Sequence, residues 1–320
     1  MRILGGNDSL TEFILAGLID QPELQLPLFY ICLIIYIVTI VGNLGLITFI
    51  VLNAHLHTPM YYFIFNLSFT DLCYSSVFTP KMLMNFILKD NVISYIGCKF
   101  QLFFFLFFVT SKCYMLTSMA YDCYVAICSP VLYNISMSPN VCSYLIRGSY
   151  LVAFSGSMVN FGCVLRLTFC DKNIINHNFC DVQPLLQLSC TSTYVTELEI
   201  FIAAVINIIV PTFTILISYA FIISSILNMS SSEGRSKAFS NCSSHIIAVS
   251  LFFGSGEFMC LKPSSAGSLD EGKISSVFYT IVVPMMNTFI YSLRNTDIKA
   301  AWRKTLQRRK ICSETKTLCT

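Results

Sequence analysis

Seven long apolar segments constrain what this chain can fold into. A helix needs roughly 20 predominantly apolar residues to cross about 30 Å of hydrocarbon. Only 12% of the 320 residues are charged, about half the share usual in soluble domains. The sequence therefore predicts an all-α membrane protein, a seven-transmembrane helix bundle. The segments are 27–52, 60–80, 98–128, 141–164, 198–227, 238–261 and 274–293.

The segments predict three regions with different surroundings. Residues 1–26 form a polar N-terminal segment without a cleavable leader pattern, so we expect the first helix to insert the chain and leave this segment outside the cell. The glycosylation pattern at Asn7 agrees with that side, since only an exposed acceptor is modified. Residues 27–293 span the lipid bilayer, and 294–320 form a cytoplasmic tail.

The tail carries eight of the 20 basic residues between Arg294 and Lys316, around Ile298, Trp302 and Leu306. Binding of a nucleic acid is one interpretation of such a basic stretch. A basic stretch directly after an apolar segment is more typical of an amphipathic helix on anionic cytoplasmic lipid. The net charge of +3 gives no further support to a polyanionic partner, so we expect none.

Four of the fifteen cysteines lie near loops on the side of Asn7, and the others lie mostly inside apolar segments. An oxidising exterior would favour two disulfides among the four, for which three pairings are open. These cysteines are Cys98, Cys170, Cys180 and Cys190.

Enzyme chemistry is not expected. The four histidines are scattered, and the sequence has no metal-binding, phosphate-cradling or nucleophile-elbow pattern. A transporter or channel agrees with the composition, but it would show repeat symmetry or several charges along one pore face. Deep within the apolar segments the chain has Asp71 and Lys112, whose opposite charges we expect to compensate each other.

Five stretches closely resemble signature sequences of olfactory receptors. The resemblance runs in order from Gly42-Asn43 to the tail and so covers the whole chain. The stretches are 57–63 with 67–71, 119–128, 237–245, 284–287 and 291–295.

The resemblance implies a rhodopsin-like, class A G-protein-coupled receptor. Such a receptor binds small volatile molecules between its helices and signals through the olfactory stimulatory G protein to adenylyl cyclase, from the plasma membrane of olfactory cilia. It implies no cofactor. It also implies that Cys98 pairs with Cys180 and that Cys170 pairs with Cys190.

The family places its pocket on one mostly apolar face of the bundle, as is usual for small-molecule sites. For each residue, ordinary helix packing is the alternative role. The predicted ligand face comprises Phe105, Val109, Thr110, Ala203, Asn207, Phe253, Gly256, Cys260 and Thr280.

A buried carboxylate, Asp71, is the first of the predicted activation-switch residues, because a charge within an apolar helix is costly and by default functional. Its expected polar neighbours are Asn43 and Asn287. Relatives commonly carry a Glu where this chain has Lys112, and that Glu can help to hold a sodium ion. Our hypothesis is that the Lys112 ammonium replaces sodium; the alternative is that it turns elsewhere and destabilises the bundle.

The rest of the predicted switch departs from the family at two positions. Cys123, between Asp122 and Tyr124, stands where relatives have an Arg that pairs with the Asp at rest and reaches toward the G protein. Thr288 stands where they have Pro, before Tyr291, which predicts a straighter seventh helix. We expect weak or absent G-protein activation, and a decayed receptor that folds without signalling is the alternative.

Overall fold

The computed structural model describes residues 12–18, 21–88, 91–169, 173–190, 193–261, 273 and 275–294. Each predicted apolar segment coincides with helical structure within these ranges. The spanning helices are α1 Pro22–Leu52, α2 Pro59–Leu88, α3 Tyr95–Cys128, α5 Pro139–Leu165, α7 Tyr194–Leu227, α8 Ser232–Leu261 and α9 Val283–Arg294, which a π-helical turn, Phe278–Val282, precedes. Shorter pieces are the 3-10 turns Ala54–Leu56 and Pro130–Leu132, and the helices α4 Tyr133–Ser136 and α6 Val182–Gln187.

Two of the helix bounds that differ from those that the apolar pattern predicted involve a proline. α1 begins at Pro22 rather than at 27, because proline is well suited to the first helical position, where no backbone N–H is needed. α2 continues through Pro80 to Leu88 rather than ending at 80. Prolines within spanning helices are tolerated because neighbouring groups satisfy the freed carbonyls.

α3 is the central helix of the bundle, and α1 and α7 lie at its periphery. Four helices are long and apolar enough by themselves to cross a membrane: Glu23–Leu52, Tyr95–Cys128, Pro139–Leu165 and Tyr194–Leu227. In the most apolar window of each, 61% of α3 is buried but only 11% of α1 and of α7. The apolar residues that α1 and α7 expose are suited to contact with lipid.

A small sheet that the sequence analysis did not predict closes one end of the bundle. β1 Glu12–Leu15 lies between β2 Val92–Ser94, to which it is antiparallel, and β3 Ile174–Ile175, to which it is parallel. Its buried residues alternate with exposed ones, as on a sheet with one covered face. The ring of Phe13 packs edge-on against Phe169, with centroids 5.3 Å apart.

A disulfide joins this end of α3 to the long loop before α7. Cys98 and Cys180 are bonded, with Cα atoms 5.4 Å apart, in the pairing that the resemblance implied. Cys190 is also disulfide-bonded, whereas its expected partner Cys170 lies outside the described residues. Asn7 and the tail from 295, with its expected amphipathic helix, lie outside them as well.

Candidate functional site

An aromatic cluster surrounds Phe105 on the predicted ligand face. The Phe105 ring lies 5.5 Å from Phe78, 5.8 Å from Phe179 and 6.1 Å from Tyr74, between centroids. Phe105 is buried, whereas Val109 and Thr110 beyond it on α3 are half-buried. Phe179 precedes the disulfide-bonded Cys180, so the disulfide fixes one wall of the cluster to α3.

The cluster extends to α8 and the π-helical turn through Tyr279. The Tyr279 ring lies 6.3 Å from Tyr74 and 5.6 Å from Phe252. A Cβ on Gly256 would lie 3.4 Å from Tyr279 Cε2, which places this part of α8 in contact with the Tyr279 ring. Next to Tyr279, Thr280 is buried and its hydroxyl donates to Ser276 O at 2.8 Å.

The remaining predicted ligand residues lie on α7 and α8. Phe253 is half-buried and packs against the core. Ala203 and Asn207 are half-buried on α7, and Asn207 Nδ2 donates to Ala203 O at 2.8 Å. That amide lies beside Gly156 of α5. The side chain of Cys260 lies outside the described part of the chain.

Sequence reasoning missed most of the aromatic cluster. Tyr74 and Phe78 are one helical turn apart on α2, and that spacing could have indicated a shared face. Phe179 lies in a loop, where no periodicity indicates its direction. In helices that are apolar on all sides, the pattern does not identify the inward face.

The buried charges Asp71 and Lys112 form an ion pair at the centre of the bundle. Lys112 Nζ lies 2.5 Å from Asp71 Oδ1, and each side chain is 1% exposed. Asn287 Nδ2 donates to the other carboxylate oxygen at 2.9 Å. The alternative that Lys112 turns elsewhere is therefore wrong. The amide of Asn43 donates to Thr39 O within α1.

The ion pair is directly linked to the aromatic cluster. Lys112 Nζ lies 3.9 Å from the centroid of the Tyr74 ring, a cation–π contact that gains strength when it is desolvated. Two opposite charges buried together avoid the cost of a lone ionised group in the bilayer. The ammonium thus provides Asp71 with an opposite charge from within the protein.

Asp122, Cys123 and Tyr124 each contact a different part of the bundle. Asp122 accepts a hydrogen bond from the Tyr133 hydroxyl of α4 at 2.9 Å. Burial and the Asp122 carboxylate together raise the pKa of Tyr133 well above its ordinary value, so the hydroxyl keeps its proton. Cys123 is buried against Cys242 of α8, and the half-buried Tyr124 packs near Phe221.

Thr288 forms part of a close contact between α9 and α1. A Cβ on Gly42 would lie 2.6 Å from Thr288 Cγ2, too close for an unshifted neighbour. The Thr288 hydroxyl donates to Pro284 O at 3.4 Å. α9 continues through this position without interruption, and Tyr291 beyond it is buried.

The architecture of the chain matches that of a solved structure. The structure matches squid rhodopsin with a TM-score of 0.70 and 20% sequence identity, covering 91% of this chain and 88% of that one. The chain therefore has the rhodopsin fold, a seven-helix bundle.

Sequence comparison assigns the chain to one family. The family model for olfactory receptors matches residues 31–309, and the chain belongs to that family. It is 66% identical to mouse olfactory receptor 8B3, covering 95% of this chain and 96% of the relative, and 66% identical to human olfactory receptor 8B3, covering 97% and 100%. Mouse olfactory receptor 8B8 is 63% identical, covering 94% and 97%. The protein is thus a multi-pass membrane receptor and not an enzyme.

Proposed function

We propose that this receptor binds small, mostly apolar volatile molecules against the aromatic cluster and signals through the olfactory stimulatory G protein to adenylyl cyclase. Family membership carries the assignment. The cluster supports the ligand class, since Tyr74, Phe105 and Tyr279 offer apolar surface within the bundle. The N terminus then faces outward and the tail faces the cytoplasm, in the ciliary plasma membrane.

We propose further that coupling is weaker than in relatives with Arg at position 123. A buried thiol has neither the charge nor the length of a guanidinium. Asp122 uses the Tyr133 hydroxyl as its hydrogen-bond donor and so is not left without a partner. Thr288, in place of proline, supports the same expectation, because threonine keeps the backbone N–H that proline lacks.

Sodium regulation should also be absent. The site beside Asp71 that a cation would share with a second carboxylate holds the Lys112 ammonium at 2.5 Å. A tethered cation does not depend on ion concentration, so we expect ligand affinity to be independent of sodium.

The test is an odorant panel on cells that express the unmodified chain, Cys123→Arg, Thr288→Pro or both, with cAMP normalised to surface receptor. We expect odorants that activate the double revertant to give little cAMP in the unmodified chain at equal surface expression. Full activation of the unmodified chain would overturn the coupling proposal and leave the ligand proposal intact.

A second candidate is a receptor that folds and binds ligand without coupling at all. The buried Cys123 favours it because no charge remains there to contact a partner. The panel distinguishes the two: a small cAMP response in the unmodified chain supports weak coupling, and binding with no response supports a non-coupling receptor.

A further inference from the structure

Two cysteines on different helices meet near the end of the bundle farthest from the Cys98–Cys180 disulfide. Cys123 on α3 and Cys242 on α8 are buried in one cluster, where the two thiols lie close enough to interact with each other, and each is 2% exposed. Both are reduced. Cys123 is roughly 37 Å along α3 from Cys98, at 1.5 Å per residue.

The side chains that pack on this pair are mostly apolar, although the Asp122 carboxylate acts on both thiols. Ile222 of α7 is buried against both thiols, and Tyr219 and Ile246 pack on the same cluster half-buried. Within the described ranges, no group of three or more His, Cys, Asp or Glu could hold a metal ion. The chemistry of the contact is therefore that of the two thiols themselves.

Other reduced cysteines at helix ends have partners of a different kind. Cys128, also near the end of α3, contacts the Ser225 hydroxyl at 3.1 Å, and Cys163 donates to Glu199 Oε2 at 2.8 Å. The meeting of two thiols across two spanning helices distinguishes Cys123 and Cys242 from these.

We propose that Cys123 and Cys242 are a redox modification site, at which a small peroxide converts the two thiols into a disulfide that links α3 to α8. One thiol, as its thiolate, attacks a peroxide oxygen; the O–O bond breaks, and a sulfenic acid and water form. The second thiol then attacks that sulfur, the S–S bond forms, and the hydroxyl leaves as water. Two thiols and one hydrogen peroxide thus give one disulfide and two waters.

Burial determines when the first step occurs. With 2% exposure, neither thiol meets peroxide while α3 and α8 are in contact. Brief separation of the two helix ends admits the oxidant, and their return brings the second sulfur to the first. The disulfide then prevents further separation of α3 and α8 at this end until a thiol reductant cleaves it.

The test uses the full-length receptor in lipid nanodiscs, treated with hydrogen peroxide, alkylated under denaturing conditions, digested and analysed by mass spectrometry. We expect a Cys123–Cys242 cross-linked peptide, loss of alkylation at both positions, and recovery of both after dithiothreitol. Cys123→Ser and Cys242→Ser should each abolish the cross-link. Cys128→Ser, a matched variant at the same end of α3, should retain it.

One further measurement makes the result decisive. Recovery of the Cys98–Cys180 peptide from each serine variant shows that its fold is intact, so loss of the cross-link then reports the missing thiol. The proposal is overturned if, in the unmodified chain, both cysteines remain fully alkylated after peroxide, or if either is found bonded mainly to another cysteine.

Discussion

Replacing Lys112 with Met isolates the contribution of the buried ion pair. The charges are 2.5 Å apart and 1% exposed, so their attraction at an effective dielectric constant near 20 is about 7 kcal/mol before desolvation is subtracted. Removing the Lys112 ammonium leaves the buried Asp71 carboxyl group without a counter-charge, with the Asn287 amide still donating to it. Breaking a buried pair in this way costs roughly 3–5 kcal/mol. We expect Lys112→Met to lower the free energy of unfolding by that amount.

The assay is a double-mutant cycle in detergent, followed by denaturant titration of Lys112→Met, Asp71→Asn and the double variant. Each single change leaves a buried charge unpaired, but the double change leaves none. The double variant should therefore lose much less free energy of unfolding than the two single variants lose together. Additive losses would refute the reasoning, since they would mean that the two charges do not stabilise each other.

Sodium provides an independent check on the same pair. Lys112→Glu places a second carboxylate beside Asp71, and two like charges there need a cation. A bound ion stabilises by about 2.7 kcal/mol at 100 times its Kd. We expect sodium to raise the stability of Lys112→Glu and to leave the unmodified receptor unchanged relative to choline at equal ionic strength. A sodium effect on the unmodified receptor would contradict replacement by Lys112.

Three other perturbations test separate contacts. Gly42→Ala should lower the free energy of unfolding by about 1–3 kcal/mol, because the added methyl group overpacks on Thr288 Cγ2. Thr288→Ser in the Gly42→Ala background should restore most of that loss. Gly148→Ala, whose Cβ would meet nothing within 4 Å, serves as the control in the same thermal melts. Burial lowers the pKa of His177 below its ordinary value of 6.5. As the pH drops below about 6.5, the unfolded chain therefore binds a proton at this position that the folded chain does not, and the free energy of unfolding should fall. His177→Gln should flatten that part of the stability–pH curve. Tyr133→Phe removes a 2.9 Å hydrogen bond to a buried carboxylate and should cost roughly 1–3 kcal/mol, whereas an unchanged free energy of unfolding would show that the carboxylate has another donor.

The helices were predictable because apolar length is a local property of each segment. The ion pair was predictable because its two residues carry opposite charges. Apolar length belongs to each segment separately, so seven segments predict seven helices without knowledge of their packing. Asp71 and Lys112 have opposite charges at similar depth, and the cost of burying either alone favours their meeting. The family assignment likewise depended on contiguous strings, and the comparisons confirm it.

The parts that the sequence did not predict depend on how separate segments meet. β1 to β3 have two to four residues each and pair across long stretches of chain, so no periodicity indicates them. Tyr133 reaches Asp122 from a short helix whose direction follows from packing. The thiol contact of Cys123 with Cys242 requires the rotation of α3 against α8, which a uniformly apolar pattern does not determine.

Agonist-stimulated nucleotide exchange on the purified olfactory stimulatory G protein tests the central claim most directly. The unmodified receptor and Cys123→Arg are compared in nanodiscs at equal concentration, with an odorant that binds both equally. The account predicts slow exchange with the unmodified receptor and a marked increase with Cys123→Arg. Equal rates of exchange with the two receptors would contradict it.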